Sequence, residues 1–159
     1  MKLKLEDKAR AHSLIDNPNE TWLDHKGAWL TYVILVICIH LFLLSLPFLD
    51  TPTVWTLTTV IHNTIMYVLL HHLKGAPFET YDQGKSRIMT HWEQIDGGEM
   101  FTSTRKFLNL APIILFVLAS YYSQYNHTHF VINLLSLALG LIPKMPQLFG
   151  CRVLGINKY

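Results

Sequence analysis

All thirteen lysines and arginines of this chain fall within 2–26, 74–106 and 144–158, and two long stretches between them carry no cation. Gly27–Leu73 holds a single acid, Asp50, and Phe107–Pro143 holds no formal charge. A helical bilayer crossing takes about 17–25 apolar residues, so the first stretch suits two crossings and a turn. Both ends of each stretch are cationic, so each must leave and return on the same face. The positive-inside bias makes that face the cytosol. The pattern predicts an all-α integral membrane protein with four transmembrane helices in two hairpins. Both termini and the central loop are then cytosolic.

Composition agrees. Charged residues make up 15% of the chain, against roughly 25% for a soluble domain. The basic residues flank hydrophobic segments, where they suit lipid headgroups better than a phosphate groove, so no nucleic-acid partner is expected. Two cysteines offer no disulfide framework. Cys38 reads as a small buried hydrophobe, and Cys151 lies on the reducing side. A polar segment of more than twenty residues precedes the first apolar run, which reads as an uncleaved signal anchor. The sequons at Asn19 and Asn126 read as unglycosylated, one cytosolic and the other pressed against the membrane.

The expected helices run from about Trp29 to Leu46, Val54 to Leu73, Phe107 to Tyr122 and Phe130 to Ile142. Pro47 and Pro52 interrupt the first pair, and Trp22, Trp29 and Trp55 suit the interfaces. The second hairpin is short; Lys106 and Lys144 extend it by snorkelling, and Tyr121, Tyr122 and Tyr125 form an aromatic belt. A re-entrant loop satisfies the same charge parity. In the loop 75–105, Ile88, Met89, Trp92 and Ile95 recur at helical spacing. They predict a short surface helix with Trp92 in the membrane surface and Arg87 and Glu93 facing water.

Nine histidines raise the question of a metal-dependent enzyme. His71 and His72 are adjacent and point to different helix faces; no cytosolic pair has the spacing of three or four that a shared metal needs. His127 and His129 lie on the other side. His40 and His62, inside the spans, read as interhelical hydrogen-bonding groups together with Ser45, Thr56, Asn63 and Asn133. A proton pathway would want buried carboxylates within the helices, and neither stretch supplies one. Nucleophile and phosphate-binding motifs are absent. The residues alone give a small membrane protein with no catalytic residues and no metal site.

Several blocks then say more: GAWLTYV, SLPF, VWTLT, KGAPFET, THWEQ with its following Asp-Gly, RKFL, IPKMPQLFG and the terminal GINKY. Together, over residues 17–159, they resemble the ORM-like (ORMDL) family. The resemblance implies a multi-pass endoplasmic reticulum protein without enzymatic activity or cofactor. Its implied partners are the subunits of serine palmitoyltransferase, together with ceramide and membrane lipids. It implies negative feedback on sphingolipid synthesis, exerted by a cytosolic arm, residues 1–26, on a membrane domain, 27–159. That domain includes the cytosolic loop 75–105 and tail 144–159. The family's Asn-Pro-Asn motif matches Asn17-Pro18-Asn19 and carries ceramide binding onto Asn19, with His91 as a second candidate. A ceramide headgroup is uncharged, and an Asn amide offers it both donor and acceptor. The segment before Asp16 departs from the family pattern, and in it only Ser13 is open to phosphorylation.

Two rival classes remain at this point: a histidine-dependent lipid-modifying enzyme, which would carry stoichiometric metal, and a free-standing lipid-binding or scaffold protein, which would recover no palmitoyltransferase.

Overall fold

The computed structural model of the chain describes His25 and residues 27–75 and 84–151; the arm with Asn17 and Asn19, and most of the tail, lie outside these. Among the described residues every regular element is helical, apart from one antiparallel bridge between Lys74 and Thr90. Helix α1 is Ala28–Leu44. Helix α2 is Thr51–Tyr67, continued by a wider π turn over Val68–His72. A short α3, His91–Gln94, sits between 3-10 turns at Gly84–Ile88 and Ile95–Gly98. Helix α4 is Ser103–Tyr122 and α5 is His127–Leu141. Thr51–His72, at 22 residues, and Ser103–Tyr122, at 20, are long and apolar enough to cross a membrane; α1 is apolar but shorter.

Boundaries shift for local reasons. Helix α2 starts three residues earlier than its hydrophobic run because Pro52 occupies its first turn, where the missing N–H costs nothing. Helix α4 starts at Ser103, a turn before the apolar run, because Thr102 caps it by accepting from the Arg105 N–H at 3.3 Å. That extra turn rotates Arg105 into the interior, where it is buried.

Helix α2 packs against α1, α4 and α5. Its inward face is polar: Thr56, Thr58, Thr59, His62 and Asn63 are all buried, while Leu30, Phe42 and Leu135 stand exposed elsewhere. This polarity suits a bilayer, where hydrogen bonds and small residues hold helices together and apolar side chains face lipid. Asn133, Ser136 and Gly140 bring the small face of α5 onto α2. Two hydrogen-bonded chains thread this interface. The Tyr32 hydroxyl bonds to His62 Nε2, His62 Nδ1 lies 2.9 Å from Asn63 Oδ1, and the Asn63 amide donates to Ser136 Oγ at 2.9 Å. For a neutral imidazole the directions close only one way, with Nδ1–H donating to Asn63. In the second chain the Asn133 amide donates to Thr56 Oγ1 at 3.2 Å, and Thr56 meets His129 Nδ1 at 3.0 Å. His40 joins α1 to α2 through Thr58 at 2.9 Å. Most polar residues inside the spans thus tie helices together, whereas Ser45 and Thr59 bond back to carbonyls of their own helices, Phe42 and Trp55.

Four sequence expectations change. Cys38, expected to be buried, lies on the exposed side of α1. The segment 88–95 is no surface helix: α3 spans one turn, and Trp92, Glu93, Gln94 and Ile95 are buried under the ends of α2 and α4. Of the two charges expected to face water, Arg87 is exposed, whereas Glu93 turns back to accept from the Thr90 N–H at 2.7 Å. Lys106 is exposed, but Lys144 does not snorkel; it points inward and is 6% exposed. Pro112 supplies the reason. It lies inside α4 and has no N–H to give the carbonyl four residues back. That carbonyl belongs to Leu108, and Lys144 Nζ donates to it at 2.8 Å.

Candidate functional site: a groove beside His91

The THWEQ block builds a platform at the end of the bundle where α1 begins. Thr90 forms the bridge to Lys74 and caps α3. The Gln94 amide lies within reach of three backbone carbonyls, Met89 at 3.0 Å, Ser86 at 3.3 Å and Gly75 at 3.4 Å. One buried side chain thereby satisfies a turn that has no regular structure of its own. The next carbonyl, Ile95, accepts from the Arg105 guanidinium at 3.0 Å. A left-handed pair, Asp96 and Gly97, then reverses the chain, and the Thr102 hydroxyl bonds to Asp96.

Trp92 is the centre of the platform. Arg105 lies over its ring at 4.6 Å and Lys144 at 5.7 Å, and the Phe149 ring also lies against the guanidinium, at 5.4 Å. The His71 ring is 5.8 Å away. Stacking two buried cations on an indole lessens their desolvation cost, but does not abolish it: burial pulls the Lys144 pKa down to about 8. The tail at Phe149, the central loop and the ends of α2 and α4 are therefore one packed unit. Sequence reasoning missed Arg105, Gln94 and Lys144 as interior groups because long polar side chains are seldom fully buried. The one available signal was Pro112, which calls for an outside donor.

His91, the first residue of α3, projects from this platform into a groove of about 580 Å³ between α1 and α2. Ala28, Thr31, Leu35 and Ile39 form one wall and Ile65, Met66 and Leu69 the other. Burial holds the His91 pKa below its ordinary value, so the ring is neutral at pH 7 and can present a donor on one nitrogen and an acceptor on the other. The arrangement offers space for hydrocarbon with the neutral His91 ring on its wall; the other polar groups that line it, Thr31, Tyr32 and His62, bond within the protein. His91 and Glu93 do not act as a pair, because Glu93 is committed to the cap. Among the described residues no three or more His, Cys, Asp or Glu side chains gather to hold a metal. Asn19 lies outside the described residues; nine residues separate it from Ala28, a reach of up to about 30 Å.

The model described as the ORMDL family matches residues 17–152. ORM1-like protein 2 of Bos taurus is 57% identical over 149 residues, covering 94% of this chain and 97% of that protein. ORM1-like protein 1 of Homo sapiens is 57% identical and that of Danio rerio 58% identical, each with the same coverage.

Proposed function

This chain belongs to the ORMDL family, and on that premise we propose that it is a non-catalytic regulatory subunit of serine palmitoyltransferase in the endoplasmic reticulum membrane. It inhibits the enzyme when ceramide is plentiful and so limits sphingolipid synthesis. The observation that carries this reading is the groove with His91 on its wall. Ceramide has two hydrocarbon chains and an uncharged headgroup with one amide and two hydroxyls. Apolar walls suit the chains, and a neutral imidazole beside the start of α1 suits the headgroup. The arm 1–26 leads into α1, whose first residue, Ala28, lines the groove, so chain length leaves Asn19 within reach of the headgroup. Pro18 restricts the arm and reduces the entropy lost when it docks. Ceramide then favours the docked arm over the free one by binding it more tightly, which is all that a switch requires.

The reading includes four crossings with both termini and the loop 75–105 in the cytosol. Helix α5 rises only about 22 Å, short of a bilayer core of about 30 Å, and local thinning accommodates it. The uninterrupted 20 residues of α4, packed along α5, support a full second hairpin over a re-entrant loop.

The test is serine palmitoyltransferase activity in membranes with and without this protein, titrated with ceramide. Asn19→Ala removes one donor and one acceptor and leaves Pro18 in place. A headgroup left unpaired on one side weakens ceramide binding roughly 5- to 150-fold. The variant should still co-purify with the enzyme and need correspondingly more ceramide to inhibit it. His91→Ala should act in the same direction with a smaller shift. A wild-type ceramide response in both variants, with assembly intact, would remove these residues as the sensor.

A further inference from the structure

The flank of α1 away from His91 holds a second cavity, of about 360 Å³, bounded by α1, α2 and α4. Helices α1 and α4 stand apart along it because aromatic stacks brace the space at both ends. At one end Trp29 lies on Phe107, with ring centres 4.5 Å apart. At the other, His40 of α1 rests on Trp55 of α2 at 4.1 Å, and Trp55 stacks on Tyr122 of α4 at 4.6 Å. Eleven residues separate Trp29 from His40, a rise of about 16 Å along the helix. The slot between the braces cannot close without breaking a stack.

A packed interior does not keep an empty space of this size, because the lining atoms lose their contacts. Water does not suit it. A confined water needs two to four polar partners. Tyr32, His62 and Thr58 are committed to one another or to neighbouring groups. The second ring nitrogen of His40 with the Trp55 N–H could hold a single water but not fill the space. A helix does not fit either, since its diameter with side chains is about 10–12 Å. The slot mouth is formed by Val33, Ile37, Leu110 and Ile114, in the middle of apolar helices, so it opens to the hydrocarbon of the bilayer. At about 30 Å³ for each methylene-sized group, the share of one water in the liquid, the volume takes about a dozen carbons.

We propose that this slot is a second lipid site, holding one alkyl chain of a bilayer phospholipid whose headgroup stays outside the protein. It is separate from the His91 groove and does not rest on that groove's binding ceramide. The two cavities share only the partition made by Tyr32, Val36 and His62.

The experiment uses the full chain in phosphatidylcholine vesicles containing a small fraction of phosphatidylcholine with a diazirine on one acyl chain. After irradiation, labelled peptides are mapped. Leu115, on the slot floor and only 9% exposed, should be labelled, and its labelling should saturate as the probe fraction rises. Ala111→Phe places a ring in the slot and should lower labelling at Leu115 about fivefold or more. Labelling at Leu135, on the exposed face of α5, should not change. Ala111→Leu, a smaller intrusion with the same readout, decides the matter if the phenylalanine variant does not fold. Excess unlabelled ceramide should leave the Leu115 label in place. Absence of label at Leu115, or label that neither saturates nor responds to the Ala111 variants, overturns the proposal. Displacement by ceramide overturns the separateness of the two sites.

Discussion

Lys144 and Pro112 form the sharpest energetic prediction, because one side chain repairs a defect made by the other. The carbonyl of Leu108 loses its helical donor to Pro112 and accepts from Lys144 Nζ at 2.8 Å instead. Replacing Lys144 by methionine removes this charge-assisted bond and leaves a buried carbonyl bare, a loss of about 1–3 kcal/mol. It also removes the cation from the Trp92 ring, roughly another 0.5–1 kcal/mol. Against this, the substitution removes an amine whose pKa burial has lowered to about 8, a relief of roughly 3 kcal/mol. These opposing terms nearly cancel, so Lys144→Met alone should change stability little. The information lies in the coupling. In Pro112→Ala the backbone N–H at 112 can donate to Leu108, and the carbonyl is then satisfied with or without Lys144. Lys144→Met should therefore be more favourable in the Pro112→Ala background than in wild type by about 1–3 kcal/mol. Reversible unfolding of the four proteins in mixed SDS micelles measures this term directly. Independent sites add within about 0.5 kcal/mol; a coupling below that would refute the assignment of Lys144 as the substitute donor.

Stability should also rise with pH between about 8 and 10.5. Over that range the unfolded chain binds a proton at Lys144 that the folded chain has released. Lys144→Met should flatten the rise in the same SDS titration. His91 acts in the acid range with the same sign: its folded pKa is lowered by burial, so stability should fall as pH drops below about 6.5. His91→Ala should lessen that fall. Gln94→Ala should strip the Met89, Ser86 and Gly75 carbonyls of their shared donor, costing about 1–3 kcal/mol. Trypsin cleavage after Arg87 should quicken accordingly. An acceptor site for glycosylation placed in a lengthened loop at Gly84 should stay unmodified, and its modification would sink the cytosolic placement of that loop.

The helical architecture was legible because charge is so unevenly placed. A run such as Gly27–Leu73, with one acid and no cation, has few ways to fold other than as paired apolar helices, and α1 and α2 appear within three residues of the expected bounds at every end but one. Helix α2 begins three residues early on Pro52, and α4 begins a full turn early on Thr102. Apolar periodicity is blind to caps, because the first turn of a helix can be polar. Polar residues within the spans were also legible: in lipid a His or Asn must find a partner, and His40, His62, Asn63 and Asn133 do. Of the two residues proposed to meet ceramide, His91 lines the groove between α1 and α2, while Asn19 is outside the described residues.

The central loop was misread for a physical reason. Ile88, Met89, Trp92 and Ile95 have the spacing of an amphipathic surface helix, and periodicity carries no information about what covers a segment. Burial here is made possible by partners distant in sequence. Arg105 and Lys144, 39 residues apart, converge on the Trp92 ring, and Gln94 closes the turn over three carbonyls. Neither cation has a local signature, since a Lys or Arg beside an apolar run normally reads as a snorkelling anchor. Pro112 alone distinguishes Lys144, because a proline deep in a long helix leaves a carbonyl that something must satisfy. The consequence reaches the proposed sensor. His91 is held at its groove by the same turn that Trp92 and Gln94 bury, so the position of a groove-lining residue is set by side chains from α4 and the tail. Substitutions at Arg105 or Lys144 should then shift the ceramide response without touching either groove wall.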